Sequence, residues 1–152
     1  MRRNKPPVIV GRIPDQQYDL DDDSQLQSLG LSPDVGLKIA DEYDHYPECK
    51  WAIVEYKSRS LRNSVDQLED TAEQIFKIQR AVDLVIIVAE RINRAERHIF
   101  QKRGNMLYNK LRKTPVQIRA GNKRIEVNIY EAHEVDRQYK KYKGSLIPWV
   151  SK

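Results

Sequence analysis

The sequence predicts an α/β domain built on a mixed sheet, and three observations predict it. Residues 82–88 form a near-continuous apolar run, the pattern of a strand buried on both faces. Residues 60–79, just before it, carry apolar side chains at spacings of three and four, the pattern of a helix with one buried face. Period-two alternation recurs on either side of this pair, at residues 35–40, 51–57, 116–119 and 125–130. Strand, helix and strand joined by a right-handed crossover give a parallel pair, and hairpins beside it make the sheet mixed. A chain of 152 residues fits one domain, 1–152, with a core motif region at 34–90 and a basic half at 91–152.

Taken in order, residues 8–10 read as a short strand ended by Pro14. A helix is expected around 24–29, with Asp21, Asp22 and Asp23 at its positive end. The spacing of Asp19, Asp21 and Asp23 suggests a calcium loop, but Ser24 and Gly30 stand where that loop needs Gly and Glu. Residues 35–40 and 51–57 read as the two strands of a hairpin, with the polar stretch 42–48 and its Pro47 as the turn. In the helix at 60–79, Val65, Leu68, Ala72, Ile75 and Ile78 face inward, and Ser64 with Gln67 has the form of a capping box. Residues 91–113 read as two basic helices broken at Gly104, with Ile92, Ala95, Ile99, Met106 and Leu107 inward. Residues 116–130 read as a hairpin turning at residues 120–123, and 131–143 as a last basic helix.

The net charge of +5 conceals an asymmetry. Residues 1–90 hold 11 Lys/Arg and 17 Asp/Glu, whereas residues 91–152 hold 16 Lys/Arg and 5 Asp/Glu. One half can carry an acidic cluster, and the other a basic surface suited to a polyanion, with nucleic acid the first candidate. The phosphate-contact candidates are Arg91, Arg94, Arg97, Lys102, Arg103, Lys110, Arg112 and Lys113, joined by Arg59 and Arg62. Tyr139, Tyr142 and Trp149 lie among lysines and are candidates to stack on bases. A single cysteine, Cys49, excludes an internal disulfide and a cysteine-based zinc cluster, and the three histidines lack ligand spacing. No apolar run approaches the roughly 18 residues of a membrane span, so the expectation is a soluble, cytoplasmic protein.

The chemistry is expected on the first hairpin. Glu55 and Lys57 are two residues apart on one strand and share a face. Asp41 opposite Glu55 brings two carboxylates to about 5 Å, where they repel unless a cation neutralises them. Hard oxygen ligands suit Mg²⁺ or Mn²⁺, the backbone carbonyl of Tyr56 offers another oxygen, and Lys57 beside the ion can orient the attacking water. Asp34 and Asp44 are the other candidates for the upstream carboxylate. A second Glu-x-Lys, Glu48-Cys49-Lys50, follows Pro47 and reads as turn.

Glu55-Tyr56-Lys57 after the apolar run Trp51-Ala52-Ile53-Val54, with Asp41 upstream, resembles the PD-(D/E)XK nuclease superfamily, nearest to its small resolvase-like and RecB-like domains. The resemblance covers about residues 34–90 and implies a restriction-endonuclease-like mixed sheet flanked by helices. It also implies Mg²⁺-dependent hydrolysis of DNA, and it gives Gln67 in the following helix a part in holding the site. Thr71 stands where the RecB-like branch has Tyr, and residues 1–33 lack the early Glu of many members, leaving Asp15, Asp19 or Gln25 in its place. Two sites for two strands would make the chain a homodimer. The alternatives are a nucleic-acid-binding or assembly protein of the same fold that cleaves nothing, and an unrelated α/β domain whose basic face meets an acidic protein.

Overall fold

A computed structural model describes residues 14–31, 40–47, 50–56, 60–135 and 137. The described residues form a nine-stranded mixed sheet, the helices α1 and α2, a short 3₁₀ turn and helical residues at 132–135 and 137. The order along the chain is β1 (Gln16–Asp19), α1 (Asp23–Leu29), β2 (Glu42–Tyr46), β3 (Lys50–Tyr56), α2 (Leu61–Lys77) and β4 (Leu84–Ala89). The 3₁₀ turn Arg94–Glu96 then leads to β5 (Phe100–Arg103), β6 (Met106–Asn109), β7 (Thr114–Pro115), β8 (Gln117–Ala120) and β9 (Lys123–Glu131). The sheet runs β1-β2-β3-β4-β9-β6-β5, with β7 on β6 and β8 on β9. β1, β2 and β3 pair antiparallel, while β3, β4 and β9 are parallel neighbours. No helix among the described residues is long and apolar enough to cross a membrane.

Alternation along the central strands divides the core in two. Ile53, Val85, Ile87, Ala89, Val127 and Ile129 face a large apolar layer that includes Leu61, Leu68, Ala72 and Ile75 of α2. Ala52, Val54, Ile86, Val88 and Tyr130 face a smaller one with Tyr46 and Val135. β4 is buried on both sides because it lies in the middle, as its unbroken apolar run anticipates. Asp22 caps α1 by accepting from Ser24 N, and Gly30, at φ +97°, closes it with N–H donation to Gln27 O and Leu26 O.

Three expectations are corrected here. The partner of β3 is Glu42–Tyr46, the segment read as turn, and not residues 35–40. Ala40 lies outside any strand, and 35–39 lie outside the described residues. Charge disguised the strand: Glu42 and Asp44 are fully buried on the face of Tyr46, while Tyr43 faces the main core. Second, residues 91–113 are not helical. They form the 3₁₀ turn and the β5–β6 hairpin, closed by a two-residue Gly104-Asn105 loop with Gly104 at φ +59°. Third, the cap of α2 is Ser60, whose side chain accepts from Asn63 N, one turn before the proposed Ser64–Gln67 box. The β8–β9 hairpin has the predicted turn, with Ala120 opposite Lys123. The strand at 8–10, Glu48-Cys49 and the aromatics Tyr139, Tyr142 and Trp149 lie outside the described residues; of the expected last helix, 132–135 and 137 are helical, Glu131 still belongs to β9, and the rest lies outside the described residues.

Candidate active site and basic cavity

β2 and β3 pair Glu42 with Val54, so the register carried one step further sets Asp41 opposite Glu55. Asp41 N donates to Val54 O at 3.0 Å, which closes that end of the ladder. Both side chains fall on the α2 side of the sheet, in line with Tyr43 and Ile53. Asp41 Oδ2 accepts the backbone N–H of Tyr56 at 2.7 Å, which ties the carboxylate to the end of β3. From α2, Thr71 Oγ1 accepts Ala40 N at 2.8 Å and donates to Gln67 O at 2.7 Å. Thr71 therefore anchors the residue that leads into Asp41, a role that the sequence did not disclose.

Glu55 is 8% exposed. Burial, the charge of Asp41, the charge of Asp21 and a hydrogen bond with Asp41 push its carboxyl up to about 8, against a smaller lowering by the Asp41 backbone N–H. Its Oε1 is buried with no hydrogen-bond partner. Two carboxyls meet there with one buried oxygen unserved, and a divalent cation is a species that would satisfy both. The donor set fits such a group in part. Asp41 and Glu55 supply hard oxygens, but no group of three or more His, Cys, Asp or Glu among the described residues is arranged to hold an ion alone.

Asp21, expected only to favour the start of a helix, is the third acidic residue of this neighbourhood. The β1–α1 turn brings it there: Leu20 N donates to Asp41 O at 3.0 Å, and Asp19 Oδ1 accepts Asp21 N at 3.0 Å. Of the proposed stand-ins for an early Glu, Asp19 and Gln25 belong to this same turn, with Gln25 Oε1 accepting Asp19 N at 2.8 Å, whereas Asp15 lies on His45 Nδ1 at 2.7 Å. Of the other candidates, Asp44 is buried on the opposite face, and Asp34 lies outside the described residues. Tyr56 points its hydroxyl to Glu42 Oε1 at 3.2 Å on that opposite face, so only its backbone belongs to the site. Gln67 is half-buried one turn before Thr71. Lys57 and Arg59 lie outside the described residues.

The end of α2 nearest the site is tied to a distant segment. Glu96 accepts from Leu61 N at 3.0 Å, Arg62 N at 3.3 Å and Ser60 Oγ at 3.2 Å. A carboxylate on free N–H groups at the positive end of a helix is favourable, and here it fixes the loop after β4 against α2. That loop lines a cavity of about 340 Å³ with Arg91, Ile92 and Arg97, completed by Lys102 and Lys110 from the β5–β6 region. Arg91, Arg97, Lys102 and Lys110 of the expected phosphate contacts thus meet, whereas Arg94, Arg103, Arg62 and Arg112 do not join them. Arg103 stacks on Tyr108 at 3.7 Å, Arg94 is exposed on the 3₁₀ turn, and Arg62 lines a separate groove with Arg112 and Arg124.

No family model, curated protein or solved structure matches the chain.

Proposed function

We propose that the chain is a metal-dependent nuclease that hydrolyses DNA phosphodiester bonds at the Asp41–Glu55 pair. The observation that carries the reading is the buried Glu55 carboxyl, held near pKa 8 beside Asp41 with one oxygen unserved. A buried carboxyl pressed against a second carboxyl, with only the Asp41 backbone N–H to favour its charge, is the kind of group that functional sites keep. Mg²⁺ or Mn²⁺ would be held by Asp41 and Glu55, with the Tyr56 carbonyl as a further oxygen. When bound, the ion supplies Lewis acidity toward the phosphate and makes water a better nucleophile at neutral pH. The chain's own contribution is positional. The Tyr56 N–H fixes Asp41, Thr71 fixes the backbone before it, and the apolar layer around Ile53 and Ile87 keeps the pair dry. In this reading Lys57 orients the attacking water, Gln67 supports the site from α2, and Arg97 and Lys102 take phosphates of the strand. A cytoplasmic location and PD-(D/E)XK kinship belong to the same proposal.

The test is cleavage of labelled single-stranded, duplex and branched DNA with Mg²⁺, Mn²⁺ or chelator. Cutting should require metal and fall by roughly two orders of magnitude or more in Glu55→Ala and Lys57→Ala. Chelator-resistant cutting, or full activity in Glu55→Ala, would overturn it. A second reading is a non-catalytic nucleic-acid-binding or assembly protein, favoured by the lack of a three-ligand cluster among the described residues. It predicts salt-sensitive binding without turnover in any metal.

A further inference from the structure

The seam where α2 packs beside β8 carries both signs of charge on one surface. Glu69 Oε2 accepts the backbone N–H of Arg119 at 2.8 Å, which fixes the helix to that strand. Toward the start of α2 the seam opens into a groove of about 840 Å³. Arg62, Arg112 and Arg124 line it, together with half-buried Val65 and Val116 and the exposed Leu111. Its one carboxylate is Asp66. Farther along α2 lies a pocket of about 370 Å³ whose acids are Glu69, Asp70 and Glu73. Gln117 and Arg124 line both, so the groove and the pocket adjoin. Among the described residues no carboxylate pairs with Arg62, Arg112 or Arg124.

An apolar side chain stands at each end of the seam. Phe76, 48% exposed, and Leu111, 69% exposed, are the large hydrophobic residues that face solvent among the described residues. Both are held in place. Phe76 lies against Gly121 in the β8–β9 turn, where an added Cβ would collide with the ring. Leu111 N and Arg112 N each donate to Asn109 Oδ1 at 3.0 Å. Phe76 lies about 21 Å along α2 from Arg62, at the opposite end from the groove. Apolar groups fixed in water are stabilised when a partner covers them.

The charge pattern selects that partner. A nucleic acid would meet the arginines but also the carboxylates of α2, which repel phosphate. An acidic protein meets the same repulsion. The two ends of the chain, 1–14 and 138–152, contain no Asp or Glu to offer the arginines. The surface needs a partner with both signs in reverse order. A two-fold related copy has them by construction, because in such an interface residue i meets j and j meets i. Turned end for end about Gln117 and Arg124, a second copy brings its Asp70 and Glu73 toward Arg62 and Arg112, and its Phe76 toward Leu111.

We propose that this seam is the interface of a two-fold dimer of the chain. The dimer needs neither metal nor the Asp41–Glu55 pair, so it stands or falls apart from the nuclease reading.

The test is sedimentation equilibrium of the full chain in chelator across micromolar concentrations. The wild type is expected to dimerise. Leu111→Glu, checked for native circular dichroism, should weaken association by roughly tenfold or more. Arg62→Glu and Glu73→Arg should each weaken it by a similar factor. Arg62→Glu/Glu73→Arg should restore it, because the exchanged charges meet again across the two-fold axis. The two residues are about 16 Å apart along α2, too far for rescue within one copy. A wild type that is monomeric at every concentration, association indifferent to Leu111→Glu, or a double variant no stronger than the single ones would overturn the assignment. So would a monomer whose DNA binding weakens in Arg62→Glu, which would give the groove to phosphate.

Discussion

A carboxyl that loses water without gaining a cation keeps its proton, and Glu55 is in that position. Its folded pKa of about 8 lies above the ordinary 4.5. Between those values the folded chain binds more protons than the unfolded one, so stability contributed at this residue is present at low pH and declines as pH rises to 8. The slope is at most about 1.4 kcal/mol per pH unit. In chelator, thermal or urea unfolding from pH 5 to 8 should therefore show a flatter profile for Glu55→Gln than for the wild type, with the variant more stable at pH 8. Parallel profiles would place the Glu55 pKa elsewhere. The Asp41–Glu55 pairing was legible in the sequence because register arithmetic on a hairpin needs only spacing. That held although the strand before Asp41 was misassigned. Asp21 was not legible, because it reaches the site through the β1–α1 turn. Glu42 and Asp44 were misread because charge was taken as exposure, while both are fully buried.

At the scale of elements, α2 was legible by its apolar face, and Leu68, Ala72 and Ile75 are buried as its spacing requires. Its cap was placed one turn late, at Ser64 instead of Ser60, and the second acceptor at that end, Glu96, was hidden because it arrives from 35 residues away from Leu61. Glu96→Ala leaves the Leu61 and Arg62 N–H groups without this acceptor and should destabilise the fold by about 1–2 kcal/mol, read as a lower Tm. It should also loosen the loop that carries Arg91 and Arg97 more than it disturbs β4. The segment 91–113 was misread because its basic residues suit an exposed helix as well as an exposed strand face. The Gly104-Asn105 pair, with Phe100 and Leu107 as inward residues of the two strands, was the signal for a hairpin.

Across the whole molecule, the charge asymmetry of the sequence becomes spatial order. The acidic half supplies the pair at the end of β3, and the basic half closes the cavity beyond β4 and β9, both on one face. Composition announced the two halves, but only the parallel β4–β9 pairing, between strands far apart in the chain, brings them to one edge. Binding of single-stranded DNA should weaken with salt at about −0.7 in log–log slope for each phosphate met. With three cations engaged, the slope should be near −2 and should become shallower by about one unit or more in Arg91→Ala/Lys110→Ala. A slope unchanged by the double variant would move the phosphate path to the groove of Arg62, Arg112 and Arg124.

The nuclease reading depends on the carboxylate pair taking up a divalent cation. The direct measurement is calorimetric titration of Mn²⁺ into the full chain at pH 7.5, wild type beside Glu55→Gln. Saturable binding by the wild type, with a matching rise in Tm, and loss of both in the variant are expected. No binding by the wild type, or equal binding by the variant, would contradict it.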